Sequence, residues 1–179
     1  MCKILMESYY NSLIDQYETK PDAYYENQRA EMLEFIPENT SSLLEIGCGS
    51  GSFGSLVKMS RPECNVWGIE PNHTAAEVAA EKLDKVICGS FNANVPELNG
   101  ETFDCIVFND VLEHLANPMN ALIDCKPYLS RKGSLVASIP NILHFYQIAE
   151  ILLQQDWKYQ DGGILDNTHL RFFTKKSIV

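Results

Sequence analysis

Three histidines and two carboxylates carry the types and positions that could do chemistry: His114, His144 and His169, with Glu45 and Glu70 on either side of a glycine-rich run. Histidine titrates near neutrality, so each of the three is a candidate general base for deprotonating a hydroxyl. His169 and His144 rank ahead of His114, because they lie in the C-terminal part where an acceptor is expected. Arg171 is a candidate partner for an acidic or phosphorylated acceptor, or for Asp166 within the chain. The histidines show no ligand-type spacing with one another or with cysteine, so no metal site is expected. Tyr9 and Tyr10 precede these elements, and Tyr10 is a candidate substrate contact from a segment that could close over a pocket.

These groups need a scaffold, and the run Leu43-Leu44-Glu45-Ile46-Gly47-Cys48-Gly49-Ser50-Gly51-Ser52-Phe53-Gly54 supplies its centre. A short apolar stretch that gives way to alternating glycines reads as a buried strand turning sharply into a helix around a ligand. Gly49–Gly54 fits the G-x-G-x-x-G dinucleotide fingerprint. Glu45 argues against that reading. A carboxylate beside the loop would repel a pyrophosphate, whereas it would attract a ligand bearing an ammonium and a sulfonium, which S-adenosylmethionine is. Gly47, Cys48, Gly49 and Gly51 would then hold the amino-acid part of that cofactor with Glu45. Glu70 closes the second strand about 20 residues on, placed for the ribose hydroxyls of any adenosine ligand.

The remaining elements follow in order. Residues 7–36 read as helical and rich in tyrosine, broken at Pro21, with Tyr25, Met32, Leu33 and Ile36 on one face. Helix 52–60, strand 65–69, helix 73–83 with a Thr74/Glu77 capping box, and strand 85–88 come next. Ser90 and Phe91 lie where an adenine edge would rest. Strand 103–108 runs into Asn109 and Asp110, candidates for the methionyl part or the acceptor. Helix 118–129, strand 133–139 and a helix from Pro140 follow. Ile142, Phe145, Ala149 and Leu152 should form the buried stripe of that last helix. The expected architecture is an α/β, Rossmann-like, doubly wound and mostly parallel sheet over 41–179, with a helical cap over 1–40.

Composition narrows the partners. One domain of 179 residues can bury about 70% of its unfolded surface. A net charge of −10 argues against nucleic acid and anionic membranes, and eight acids against three bases in residues 1–40 concentrate it N-terminally. The six cysteines contain no C-x-x-C pair, so reduced thiols and a cytoplasmic location are expected. No stretch approaches the roughly 18 apolar residues of a membrane span.

With these residues in view, the chain resembles the class I S-adenosylmethionine-dependent methyltransferases over residues 40–179. The resemblance rests on Glu45-x-Gly47-x-Gly49-x-Gly51, Glu70 and the Val111-Leu112-Glu113-His114-Leu115 run. Pro140-Asn141, His144 and Asp166 to Thr174 are similar to a subgroup associated with O-methylation of surface polysaccharides, lipids or quinones. Two departures stand out. Ser90 replaces the acid that usually binds the adenine amino group, and the family's last helix and two strands would lie beyond Val179. The latter would leave the fifth strand with an open edge, which pairing into a homodimer would cover. The resemblance implies in-line attack of an acceptor on the sulfonium methyl, with the protein mainly positioning the reactants. An NAD-dependent oxidoreductase and a non-catalytic binding or scaffold domain are the alternatives.

Overall fold

The computed structural model describes residues 17, 20–92 and 94–178. Five strands, β1 (Ser42–Ile46), β2 (Asn65–Glu70), β3 (Lys85–Cys88), β4 (Phe103–Asn109) and β5 (Leu129–Ser138), form one sheet in the order β3-β2-β1-β4-β5. All four pairings are parallel. Strand order reverses between β1 and β4. That is where an open α/β sheet leaves a crevice at its carboxyl ends.

Period-two alternation explains why both faces are buried. Leu43, Val66, Cys105 and Val107 point to one face, where Phe53, Val57, Ala79 and Leu83 cover them. Leu44, Trp67, Ile106 and Phe108 point to the other, under Ala121, Cys125 and Tyr128. The helices doing this are α2 (Ser52–Ser60) and α3 (His73–Ala80) on the first face, and α4 (Pro118–Asp124) on the second. Phe53 is 2% exposed at the start of α2. Phe53→Ala should therefore cost about 3–5 kcal/mol, read as a lower urea midpoint.

Several boundaries differ from expectation for local reasons. Of the expected helical stretch 7–36, residues 7–16, 18 and 19 lie outside the described residues; from residue 20 onward it holds a four-residue turn, α1 (Asp22–Tyr25), and a tight 3₁₀ segment over Ala30–Phe35. Arg29 between them takes a left-handed φ of 44°, which no helix can pass through. Tyr25, Met32 and Ile36 are nonetheless buried, and Met32 and Ile36 share the core of the first face. α3 is capped by Asn72, whose side chain accepts from Ala75 N at 2.8 Å, rather than by a Thr74/Glu77 box. Pro127 has no N–H to carry the hydrogen-bond ladder of the expected helix 118–129 onward; α4 stops at Asp124 and a short 3₁₀ turn, Lys126–Tyr128, follows it.

The last helix, α5 (Phe145–Gln154), starts after His144 rather than at Pro140. Asn141 bridges instead to Phe173, and Ile142 N donates to Phe173 O at 2.9 Å. Ile142 is buried, but Phe145 and Leu152 are 76% and 70% exposed, so the expected stripe is not the packed face. The helix is apolar on more than one side, and hydropathy alone does not choose among them. β5 is an edge strand among the described strands. No helix of the described residues is long and apolar enough to cross a membrane.

Candidate active site

A cavity of about 1180 Å³ opens at the carboxyl ends of β1 and β4. Its first wall is the loop between β1 and α2. Gly47, Gly49 and Gly51 have φ of 71°, 52° and 75°, the left-handed region that glycine tolerates. A Cβ on Gly47 would lie 2.5 Å from Val111 Cγ2, and one on Gly49 would lie 2.7 Å from the Tyr25 carbonyl oxygen. Gly47, Cys48 and Gly49 line the cavity, whereas Gly51 packs against Ala79 and Leu83 and does not. Gly51 thus serves the loop by letting α2 and α3 approach. Burial pushes the Cys48 thiol well above its ordinary range, which makes it a packing group.

Glu45 lies at the cavity floor, 2% exposed, with Asn109 Nδ2 donating to Oε1 at 3.2 Å. Burial raises its carboxyl to about 8, against the lowering effect of Asn109 and the Gly54 backbone. A cation beside it would favour the ionised form and displace the proton. Asp110 sits at φ 54°, accepts from Ser138 Oγ at 3.0 Å and pairs with Arg29 at 3.1 Å. The Nε of Arg29 is buried without a hydrogen-bond partner, and the residue lines the same cavity. Arg29 went unnoticed in the sequence because a lone arginine in a polar stretch carries no spacing signal.

Glu70 is fully buried and does not line the cavity. Its Oε2 accepts from Gly49 N at 2.9 Å, and its Oε1 from Asn72 N at 2.8 Å and from the Tyr17 hydroxyl at 3.1 Å. Tyr17 therefore stands on the acid that sequence reading assigned to a ribose. Ser90 and Phe91 do line the cavity. Phe91 also packs edge-on to Phe108 and Tyr128, with ring centroids 6.4 and 6.2 Å away, so one ring serves both wall and core.

Elsewhere on the cavity wall, tertiary structure joins groups far apart in sequence. One ligand atom each of Glu113, His114 and His169 lies within 4.8 Å of the others. Glu113 is 1% exposed, neither carboxylate oxygen has a hydrogen-bond partner, and burial raises its carboxyl to about 8. His169 Nδ1 lies 3.0 Å from Ile164 O, and its Nε2 faces Glu113 Oε1 at 3.8 Å. His114 Nε2 is 3.5 Å from the Tyr24 hydroxyl, and burial depresses that imidazole to about 4. Spacing along the chain could not reveal this grouping; the Glu113-His114 pair meets His169 where Leu170 N and Arg171 N bond to Glu113 O and His114 Nδ1 meets Thr168.

The other expected site residues are distributed as follows. His144 lines the cavity but is exposed at the start of α5, apart from the Glu113 cluster. Arg171, expected in the acceptor pocket, instead donates to the Ala116 carbonyl at 2.7 Å and is not on the cavity wall. Asp166, its expected internal partner, pairs with Lys20. Tyr9 and Tyr10 lie outside the described residues; Tyr17, Tyr24 and Tyr25 are the described N-terminal tyrosines on the wall.

Sheet order, glycine loop and crevice together define a Rossmann-like domain of the class I methyltransferase type. Residues 17–179 match the family model described as a methyltransferase domain, and the chain belongs to that family. The mitochondrial ubiquinone biosynthesis O-methyltransferase of Saccharomyces cerevisiae is 31% identical over 131 residues, covering 68% of this chain and 42% of the relative. An uncharacterized methyltransferase of Schizosaccharomyces pombe is 29% identical, covering 70% and 50%. The chain thus spans about half or less of the length of these curated relatives. Among solved structures, a Thermotoga maritima methyltransferase described as a possible histamine N-methyltransferase superposes with a TM-score of 0.62 at 22% identity, over 84% of this chain and 65% of that one. The plantazolicin methyltransferase BpumL, solved with SAH, gives 0.60 at 20% identity, over 78% and 61%. Both likenesses bear on the fold.

Proposed function

We propose that this chain binds S-adenosylmethionine and transfers its methyl group to an oxygen of a small molecule or a glycan or lipid precursor. The observation that carries the reading is one cavity lined by two chemically distinct sets of groups. Glu45, Arg29 and the Gly47–Gly49 backbone suit a zwitterion. Glu113, His114 and His169 bring proton-transfer groups to the same cavity.

The residues fit the methionyl part of the cofactor. Glu45 offers a buried carboxyl to its ammonium, and Arg29 offers the unpartnered Nε to its carboxylate. Glu70 suits the ribose hydroxyls, provided that the Tyr17 hydroxyl yields its place. Ser90 and Phe91 remain to meet the adenine. Bound there, the cofactor supplies an electrophilic methyl that needs no further activation. The chain's part is to align the acceptor and to take its proton at a histidine. His114 replaces His169 as the leading base, because its Nε2 faces the cavity beside Tyr24 whereas His169 points to Glu113.

A second reading of the same cluster has its own support. The two imidazoles and Glu113 converge with no proton donor between the carboxylate and its neighbours, and a divalent cation would satisfy all three. Such an ion would hold and acidify the acceptor hydroxyl.

Calorimetry with S-adenosylhomocysteine and NAD, followed by methyl-transfer assays on phenol, catechol and sugar-hydroxyl acceptors with and without EDTA, tests these readings. Binding of the former and not of NAD is expected, with Arg29→Ala weakening it about tenfold. Binding of NAD alone would favour the oxidoreductase, and binding of neither the scaffold. Turnover unaffected by EDTA would remove the cation.

A further inference from the structure

We propose that Lys20, Asp166 and Thr168 form a positioning relay that holds His114 in its Nδ1–H tautomer, so that the unprotonated Nε2 is the atom presented to the cavity. The inference rests on the functional reading above, in which His114 faces the acceptor, and deepens it by fixing which nitrogen acts and what fixes it.

The tautomer follows from acceptor chemistry. His114 Nδ1 lies 3.3 Å from the Thr168 carbonyl oxygen and 3.1 Å from Thr168 Oγ1. A carbonyl oxygen can only accept, so Nδ1 must carry the proton. The hydroxyl is the shorter branch of this forked bond, and its own proton is committed elsewhere. Thr168 Oγ1 donates to Asp166 Oδ1 at 2.6 Å, which turns its lone pairs toward His114. Thr168 N donates to the same oxygen at 2.8 Å, fixing the turn that carries the side chain.

Asp166 can direct that proton only while ionised. It is 1% exposed, and its charge is matched by Lys20, whose Nζ reaches Oδ1 and Oδ2 at 2.9 Å each. Lys20 also donates to Asp161 O at 2.7 Å and lies 5.0 Å from the centroid of the Tyr24 ring. The lysine comes from the segment that bears Tyr17 and Tyr24. It thus ties the cavity's N-terminal wall to the loop that orients the base, and the relay is complete only when that segment is seated. Without Lys20 a buried carboxylate would be left uncompensated and would take up a proton. A protonated Asp166 can donate to Thr168 Oγ1, freeing the Thr168 proton to turn toward Nδ1 and favour the opposite tautomer.

The test is long-range ¹H–¹⁵N spectroscopy of the full chain with ¹⁵N-histidine labelling, in which the two ring nitrogens of His114 report the site of the proton. The wild type should show a single Nδ1–H form. Thr168→Val and, independently, Lys20→Met should each give a mixture of tautomers, with kcat lowered about 10–100-fold and KM for S-adenosylmethionine little changed. Thr168→Ser should restore the single form. A wild-type His114 protonated on Nε2, or a Lys20→Met chain whose His114 keeps the single Nδ1–H form, would overturn the relay. The spectra need neither cofactor nor acceptor, which separates a failure of the relay from a failure of the methyl-transfer reading.

Discussion

Gly49→Val should lower the affinity for S-adenosylhomocysteine at least about a hundredfold while leaving the sheet folded. The backbone at Gly49 is left-handed, at φ 52°, which costs a β-branched residue about 1–2 kcal/mol before any contact is considered. The added Cβ would also stand 2.7 Å from the Tyr25 carbonyl oxygen. That oxygen is not free to retreat, since it accepts from Ser50 N at 3.1 Å and from Ser50 Oγ at 3.0 Å. Relief must therefore come from displacing the loop, the N-terminal segment, or both. Displacing the loop strains the 2.9 Å bond by which Gly49 N holds the Glu70 carboxylate, and displacing the segment breaks the two bonds from Ser50. Calorimetry measures the loss, and circular dichroism checks that the strands survive. Wild-type affinity in this variant would remove the loop from the cofactor site.

The second large effect is expected at Glu113. Glu113→Gln should reduce kcat about 10²–10⁴-fold, the range typical of losing a proton-transfer or charge-stabilising group, while stability holds or rises by about 1 kcal/mol. The opposite signs follow from the same geometry. Both carboxylate oxygens are buried without partners, so the native side chain is a burden on folding. A glutamine of equal size removes the ionisable group and adds an amide donor beside His169 Nε2. The backbone carbonyl, which accepts from Leu170 N and Arg171 N at 2.9 and 3.1 Å, is untouched by the exchange. Turnover is measured by methyl transfer and stability by Tm. Turnover at the wild-type rate would exclude Glu113 from the site, and a collapse of Tm with the loss of turnover would make its role structural.

Much of the scaffold was legible along the chain, because its signals are local. The apolar runs at Leu43-Leu44 and from Cys105 to Phe108 marked the strands, and the run from Gly47 to Gly51 marked the turn, with β3 and α2 falling on their expected residues. Signals failed where two local solutions were equivalent. Asn72 took the cap expected of Thr74 because it stands one residue before the first helical position, and α5 turned a different face inward because apolar residues occur on several of its sides.

The sequence by itself determined the sheet, the loop at its switch point and the acid beneath it, since each depends on residues within one strand and the turn that follows. Tertiary structure alone decided what faces what. Tyr17 meets Glu70 across 53 positions, and Lys20 meets Asp166 across 146. His114 and Thr168 are separated by 54. No periodicity spans such distances, because these pairings are fixed by how the N-terminal segment and the 160–171 loop close over the crevice. The glycine-loop wall of the cavity was therefore written along the chain, whereas the grouping of Glu113, His114 and His169 became visible only once the fold had brought them together.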